Sequence, residues 1–129
     1  MHIRYCSLLL FIATLMILPR DIVAHSWMAP EQEAGKLNPV PISSKALNQG
    51  KEVFSTHCAY CHGINGEGLP TSETGLPMNT PSLVKRLKTH SQGDFFWKIQ
   101  NGRGDMPSFK DELTEQETWS ILLYIDSLK

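Results

Sequence analysis

The chain has 129 residues and a formal charge of −1, from 12 Lys and Arg against 13 Asp and Glu. One domain is the expectation at this length. The near-neutral balance lacks the basic footprint of a nucleic-acid binder, so nucleic acid is excluded as the main partner.

The N-terminal segment reads as a secretory signal. His2 and Arg4 make a short basic start, Ser7 to Leu18 is an almost unbroken apolar run, and Pro19 ends it. Ala24-His25-Ser26 offers small residues at the two positions a signal peptidase inspects. The apolar run is too short for a standard spanning helix, so membrane attachment is expected only if the signal stays uncleaved. Residues 1–24, or 1–26 if the cut follows Ser26, are expected to be removed. Cys6 leaves with them, and of the three cysteines the mature chain keeps Cys58 and Cys61.

Residues 25–43 form a Pro-containing arm, in which Pro39 and Pro41 disrupt helix. Glu31 to Leu37 has room for a turn or two of helix but no apolar stripe. The arm reads as a linker or as a segment lying over the domain surface. The domain proper is 44–129, small for a self-sufficient apolar core, so something else should help fill it.

Four helices are expected in that domain. Ser43 or Ser44 caps one running to about Thr56, with Leu47, Val53 and Phe54 as its apolar side. Thr80-Pro81 reads as N-cap and first helical residue of a short helix to about Lys88. Asp94 can cap "FFWKIQN", which Gly102 stops. Thr114 and Glu117 form a capping box for a last helix with Ile121, Tyr124, Ile125 and Leu128 on one face. Residues 63–79, rich in Gly, Pro, Ser, Thr and Asn, should be loop. The expected fold is all-α with long loops, an odd combination unless the loops wrap around something.

The chemistry lies in "THCAYCHG", residues 56–63. A redox dithiol wants a βαβ context, which is missing. A structural zinc site needs four ligands, and His57 and His90 lack a paired spacing. A bare disulfide, permitted in a secreted chain, leaves His62 unexplained. The remaining reading is covalent haem, for which C-x-x-C-H is the signature. Cys58 and Cys61 form the thioethers and His62 reaches the iron, while the haem fills the small core. For the second axial position Met106 is the first candidate. Gly102 and Gly104 let the backbone approach closely, and Pro107 stiffens the chain beyond Met106. Methionine with histidine also suits electron transfer. Met78, His57 and His90 are rivals.

With these residues placed, the chain resembles the class I c-type cytochromes over about 45–129. "CAYCH", "HGINGEGLP", "TPSL", "FWKIQNG", "GDMPSF" and a terminal helix ending "LLYIDSL" match in order. The resemblance implies a cytochrome c fold of about four short helices around one haem c. It implies that Gly50 lets the first and last helices approach closely, with Phe54 and Tyr124 packed where they cross. It also implies that Pro70 offers its carbonyl to the other imidazole nitrogen of His62, with Pro81 as the alternative. Trp97 is expected near the haem edge or as a core aromatic. The long arm departs from a minimal carrier.

No nucleophile, general base or phosphate loop is evident, so an enzyme is not expected. The function implied is periplasmic electron transfer, one iron cycling between Fe(II) and Fe(III) under His62/Met106 ligation. Its donor and acceptor would be redox proteins met transiently. The alternatives are an electron-accepting subunit of a larger periplasmic oxidoreductase and a haem-based gas sensor with a displaceable Met106. "RGD" at 103–105 carries little weight as an adhesion motif, and "KRLK" at 85–88 reads as the solvated face of a short helix.

Overall fold

The computed structural model describes residues 27–129; the expected signal lies outside the described residues. Seven helices order this stretch: α1 Glu31–Ala34, α2 Ser44–His57, α3 Ala59–His62, α4 Thr71–Thr74, α5 Leu83–Arg86, α6 Gln92–Asn101 and α7 Glu115–Ser127. Among the described residues no strand forms beyond an isolated bridge between Arg103 and Met106. The all-α expectation holds, with three one-turn helices added to the four expected from sequence.

α2 and α7 make the frame. The Ser43 hydroxyl opens α2 by accepting from Ala46 N at 3.1 Å. The capping box opens α7: Thr114 Oγ1 accepts from Glu117 N at 3.2 Å, and Glu117 Oε2 accepts from Thr114 N at 2.9 Å. Together these satisfy backbone donors that a helix start otherwise leaves orphaned. The helices meet at Gly50, where a Cβ would lie 2.0 Å from the Ser120 carbonyl oxygen. One turn on, Phe54 is fully buried and packs against Tyr124, ring centroids 5.5 Å apart. Burying such a side chain contributes roughly 1.5–3 kcal/mol. Phe96 of α6 stacks on Trp119 of α7 at 4.2 Å and extends the core.

Two expected caps are corrected. α6 starts at Gln92, and its cap is the Ser91 hydroxyl, which accepts from Asp94 N at 3.1 Å. Asp94 sits inside the first turn, 1% exposed, and is taken by other partners. Its Oδ1 accepts from Ala29 N at 2.7 Å and its Oδ2 pairs with Lys98 Nζ at 2.5 Å. α5 likewise starts at Leu83, capped by Ser82 rather than Thr80. The Thr80 hydroxyl instead donates to the Cys61 carbonyl at 2.6 Å and accepts from Leu69 N at 2.7 Å. In both cases partners elsewhere in the fold displace the local cap.

The arm lies over the domain. α1 packs on α6 at Gly93, where a Cβ would come within 2.5 Å of the Glu33 carbonyl oxygen. Ser91 Oγ donates to the Ala34 carbonyl at 2.6 Å. Asn38 Nδ2 donates to Gln92 Oε1 at 2.8 Å and to the Trp119 carbonyl at 3.1 Å. Residues 63–79 are loop as expected, apart from the single turn of α4.

Candidate haem site

α2 ends where the site begins. Cys58 closes it, its N–H donating to the Phe54 carbonyl at 2.9 Å. The chain then winds one more turn as α3, with His62 N donating to the Cys58 carbonyl at 2.9 Å. Positions 58, 61 and 62 are i, i+3 and i+4, so one helical face presents both sulfurs and the imidazole. No disulfide joins the two sulfurs. Burial, reinforced by the neighbouring Cys61 sulfur, pushes the Cys58 thiol up to about 12. A neutral thioether suits that environment, whereas a thiolate redox nucleophile or metal ligand does not.

His62 is buried, and burial lowers its pKa, opposed by the Pro81 backbone carbonyl beside it. Its Nδ1 is fully buried yet makes no hydrogen bond of acceptable geometry. A buried polar nitrogen without a partner is rare and calls for an explanation. Pro70, the first proline expected beside His62, is engaged by α4. Its carbonyl is occupied by Glu73 N, at 3.1 Å, and by Thr74 N, at 3.2 Å. Pro81 is brought to His62 because Thr80 is pinned to the Cys61 carbonyl.

Met106 arrives from the opposite end of the sequence. Gly102 ends α6 with φ +63°, a conformation that favours glycine. The next four residues close a tight turn: Arg103 N donates to the Met106 carbonyl at 2.8 Å, and Met106 N to the Arg103 carbonyl at 3.1 Å. Phe109 N then donates to the Ile99 carbonyl at 3.0 Å and ties the loop back to α6.

Cys58, Cys61, His62, Pro81 and Met106 all line one cleft of about 640 Å³, within the range of cofactor sites, about 300–1,000 Å³. Phe54, Phe95, Ile99, Ile121 and Ile125 supply its apolar wall. The residues fit a haem: two thiols and an imidazole on one helical face, a thioether from a separate loop, and an apolar slot. The rival ligands line the same cleft with other engagements. Met78 is 74% exposed. His57 Nδ1 is 3.7 Å from Glu112 Oε1 and its ring stands edge-on to Phe109. His90 Nδ1 lies 3.1 Å from the Arg86 carbonyl oxygen. Among the described residues no three His, Cys, Asp or Glu side chains converge as a metal site.

A family model described as cytochrome c oxidase, cbb3-type, subunit III, matches residues 45–125. The chain belongs to this family of cytochrome c domains. The cytochrome is 31% identical over 85 residues to a cytochrome c6-like protein of Nostoc sp., covering 66% of this chain and 73% of the relative. It is 25% identical over 89 residues to cytochrome c6 of Thermosynechococcus vestitus, covering 69% of this chain and 75% of the relative. With the cbb3-type cytochrome c oxidase subunit CcoP of Azospirillum brasilense it shares 30% over 95 residues, 71% of this chain but 32% of that protein. A chain of the reducing HAO-like protein complex of Kuenenia stuttgartiensis superposes with a TM-score of 0.52 at 21% identity, over 72% of this chain and 49% of that one. That likeness concerns the fold. Membership brings covalent haem c and haem-based electron transfer to the cytochrome.

Among the cleft residues, sequence reasoning missed Trp27. The tryptophan in the cleft is Trp27 of the arm; Trp97 is half-buried and does not line it. No local pattern marks Trp27, which reaches the cleft only because the arm folds back on α6.

Proposed function

We propose that the cytochrome is an extracytoplasmic electron carrier with a single haem, exported by residues 1–24 and delivered to the bacterial periplasm. The arm, 25–43, then precedes the haem domain, 44–129. Cys58 and Cys61 hold the haem as thioethers, and His62 and Met106 are the axial ligands. The observation that carries this is the convergence of these four side chains on one apolar cleft.

When bound, the haem supplies one-electron chemistry at iron. The chain's own residues do the rest. In the haem-bound protein the Pro81 carbonyl would accept the Nδ1–H of His62, fixing the ring and raising its basicity as a ligand. This would satisfy the nitrogen that is otherwise orphaned. The apolar wall excludes water, and the tight turn at 103–106 keeps Met106 in place. With His62 and Met106 both on the iron, no position would be left for a substrate, which suits a carrier rather than an enzyme. Tyr60 and Ile64, 77% and 67% exposed, stand beside the attachment motif and offer a small apolar face for brief encounters with redox partners.

A second reading draws on the Azospirillum brasilense relative, which is an oxidase subunit: this chain could dock on a larger oxidoreductase as its electron-accepting part. Stable co-purification with a larger protein would favour it.

The deciding experiment is a spectrum of the ferric protein, then reduction under carbon monoxide. His/Met ligation gives a far-red sulfur-to-iron band, lost in Met106→Ala, and no carbon monoxide shift in the wild type. A missing band with prompt carbon monoxide binding would overturn it and favour a sensor.

A further inference from the structure

We propose that the N-terminal arm is a working part of the haem site, and that its Trp27 clamps the loop carrying Met106. The clamp rests on Met106 as an axial ligand. The arm precedes the stretch matched by the family, 45–125, so this is a property of this chain.

The arm is anchored rather than draped. Ala29, two residues after Trp27, is buried and gives its N–H to Asp94 Oδ1 at 2.7 Å. The other Asp94 oxygen holds Lys98 Nζ at 2.5 Å. Lys98 in turn stands over the Trp27 ring, 5.5 Å from its centroid. One buried carboxylate therefore sets both the backbone beside Trp27 and the cation that the indole faces. Gly93 admits the arm backbone at a distance that any side chain would forbid.

From this fixed seat Trp27 reaches the ligand loop. Arg103 Cζ lies 6.0 Å from the Trp27 centroid, at the edge of effective cation–π range. Arg103 is also the residue that closes the turn on Met106 through two backbone hydrogen bonds. Trp27 and Met106 line the same cleft. Opening the turn to withdraw Met106 must part Arg103 from Met106 and from the indole together. The arm thus bridges rigid α6 and the loop, and opposes loop opening. A plain linker would need neither the buried anchor at Asp94 nor an indole in the cleft.

Imidazole is the probe, because as an exogenous ligand of the ferric haem it enters only when the loop opens. The full-length holo-protein is mixed with imidazole in a stopped-flow instrument, and the rate is followed at saturating imidazole. Trp27→Ala should raise that limiting rate about tenfold, the factor that about 1.4 kcal/mol represents, with the far-red band retained. Trp27→Phe should restore part of the difference, since a phenyl ring keeps a weaker cation–π face. Equal rates in wild type and Trp27→Ala, with the band present in both, would sink the clamp and leave Met106 ligation standing. Absence of the band in the wild type would sink Met106 ligation and the clamp with it. Trp27 is half-buried and stands outside the core cluster around Phe54 and Tyr124, so its replacement leaves the core intact.

Discussion

Gly50 lies so close to Ser120 that a Cβ on it would sit 2.0 Å from the carbonyl oxygen and 2.5 Å from the carbonyl carbon. Both contacts are to backbone inside α7, so neither helix can yield without losing the packing around Phe54. Gly50→Ala is expected to destabilise the holo-protein by about 3 kcal/mol, the upper end of overpacking costs. Urea unfolding should show a lower midpoint at unchanged slope. An unchanged midpoint would mean that the helices part easily.

Asp94 offers a second stability test. With its side chain 1% exposed and that of Lys98 13% exposed, the pair is effectively interior. Asp94→Ala strands the ammonium and the Ala29 N–H together. The expected loss is about 3–5 kcal/mol, the usual cost of removing one partner of a buried pair. Proteolysis should also cut the arm faster. A loss below about 1 kcal/mol, as for an exposed pair, would show that water reaches Lys98.

The capping box carries a pH signature. Hydrogen bonds from the Thr114 hydroxyl and backbone N–H hold the Glu117 carboxyl below its ordinary value, against a small opposing effect of burial. A depressed folded-state pKa means stability that is present above the ordinary glutamate value, about 4.3, and lost as pH falls through the folded value. Thr114→Ala should cost about 1 kcal/mol at neutral pH. The stability gap between wild type and Glu117→Gln should narrow as pH drops below about 4.3. A gap that stays constant down to about pH 3 would mean that the folded protein does not favour the ionised carboxylate.

The two prolines separate by function. Pro81→Ala frees the backbone beside His62, whereas Pro70→Ala touches only the start of α4. A looser hydrogen bond makes imidazole a poorer donor, so Pro81→Ala should raise the reduction potential and Pro70→Ala should leave it in place. Voltammetry of both variants decides; a larger shift at Pro70 would reverse the assignment.

Sequence and structure agree where the physics is local. C-x-x-C-H places its three groups by helix geometry alone, and Thr114/Glu117 pair within a single turn. Gly102 ends α6 because positive φ there suits glycine. The glycines and proline around Met106, proposed as a ligand, accord with a tight turn that brings it to the cleft. The misreadings at Asp94 and Thr80 have related causes. Each residue has a good local role, and for Asp94 and Thr80 a partner distant in sequence displaced it. Ala29 and Asp94 are 65 positions apart, and Cys61 and Thr80 are 19 apart.

By itself, then, the sequence determined the all-α class, the attachment motif, the helix frame and the candidate ligands, because spacing and caps act within one or two turns. Only the tertiary structure decided which proline faces His62, which tryptophan enters the cleft, and whether the arm is a tether or a wall. Those outcomes depend on desolvated long-range contacts, the Ala29–Asp94 hydrogen bond above all, and no periodicity records them.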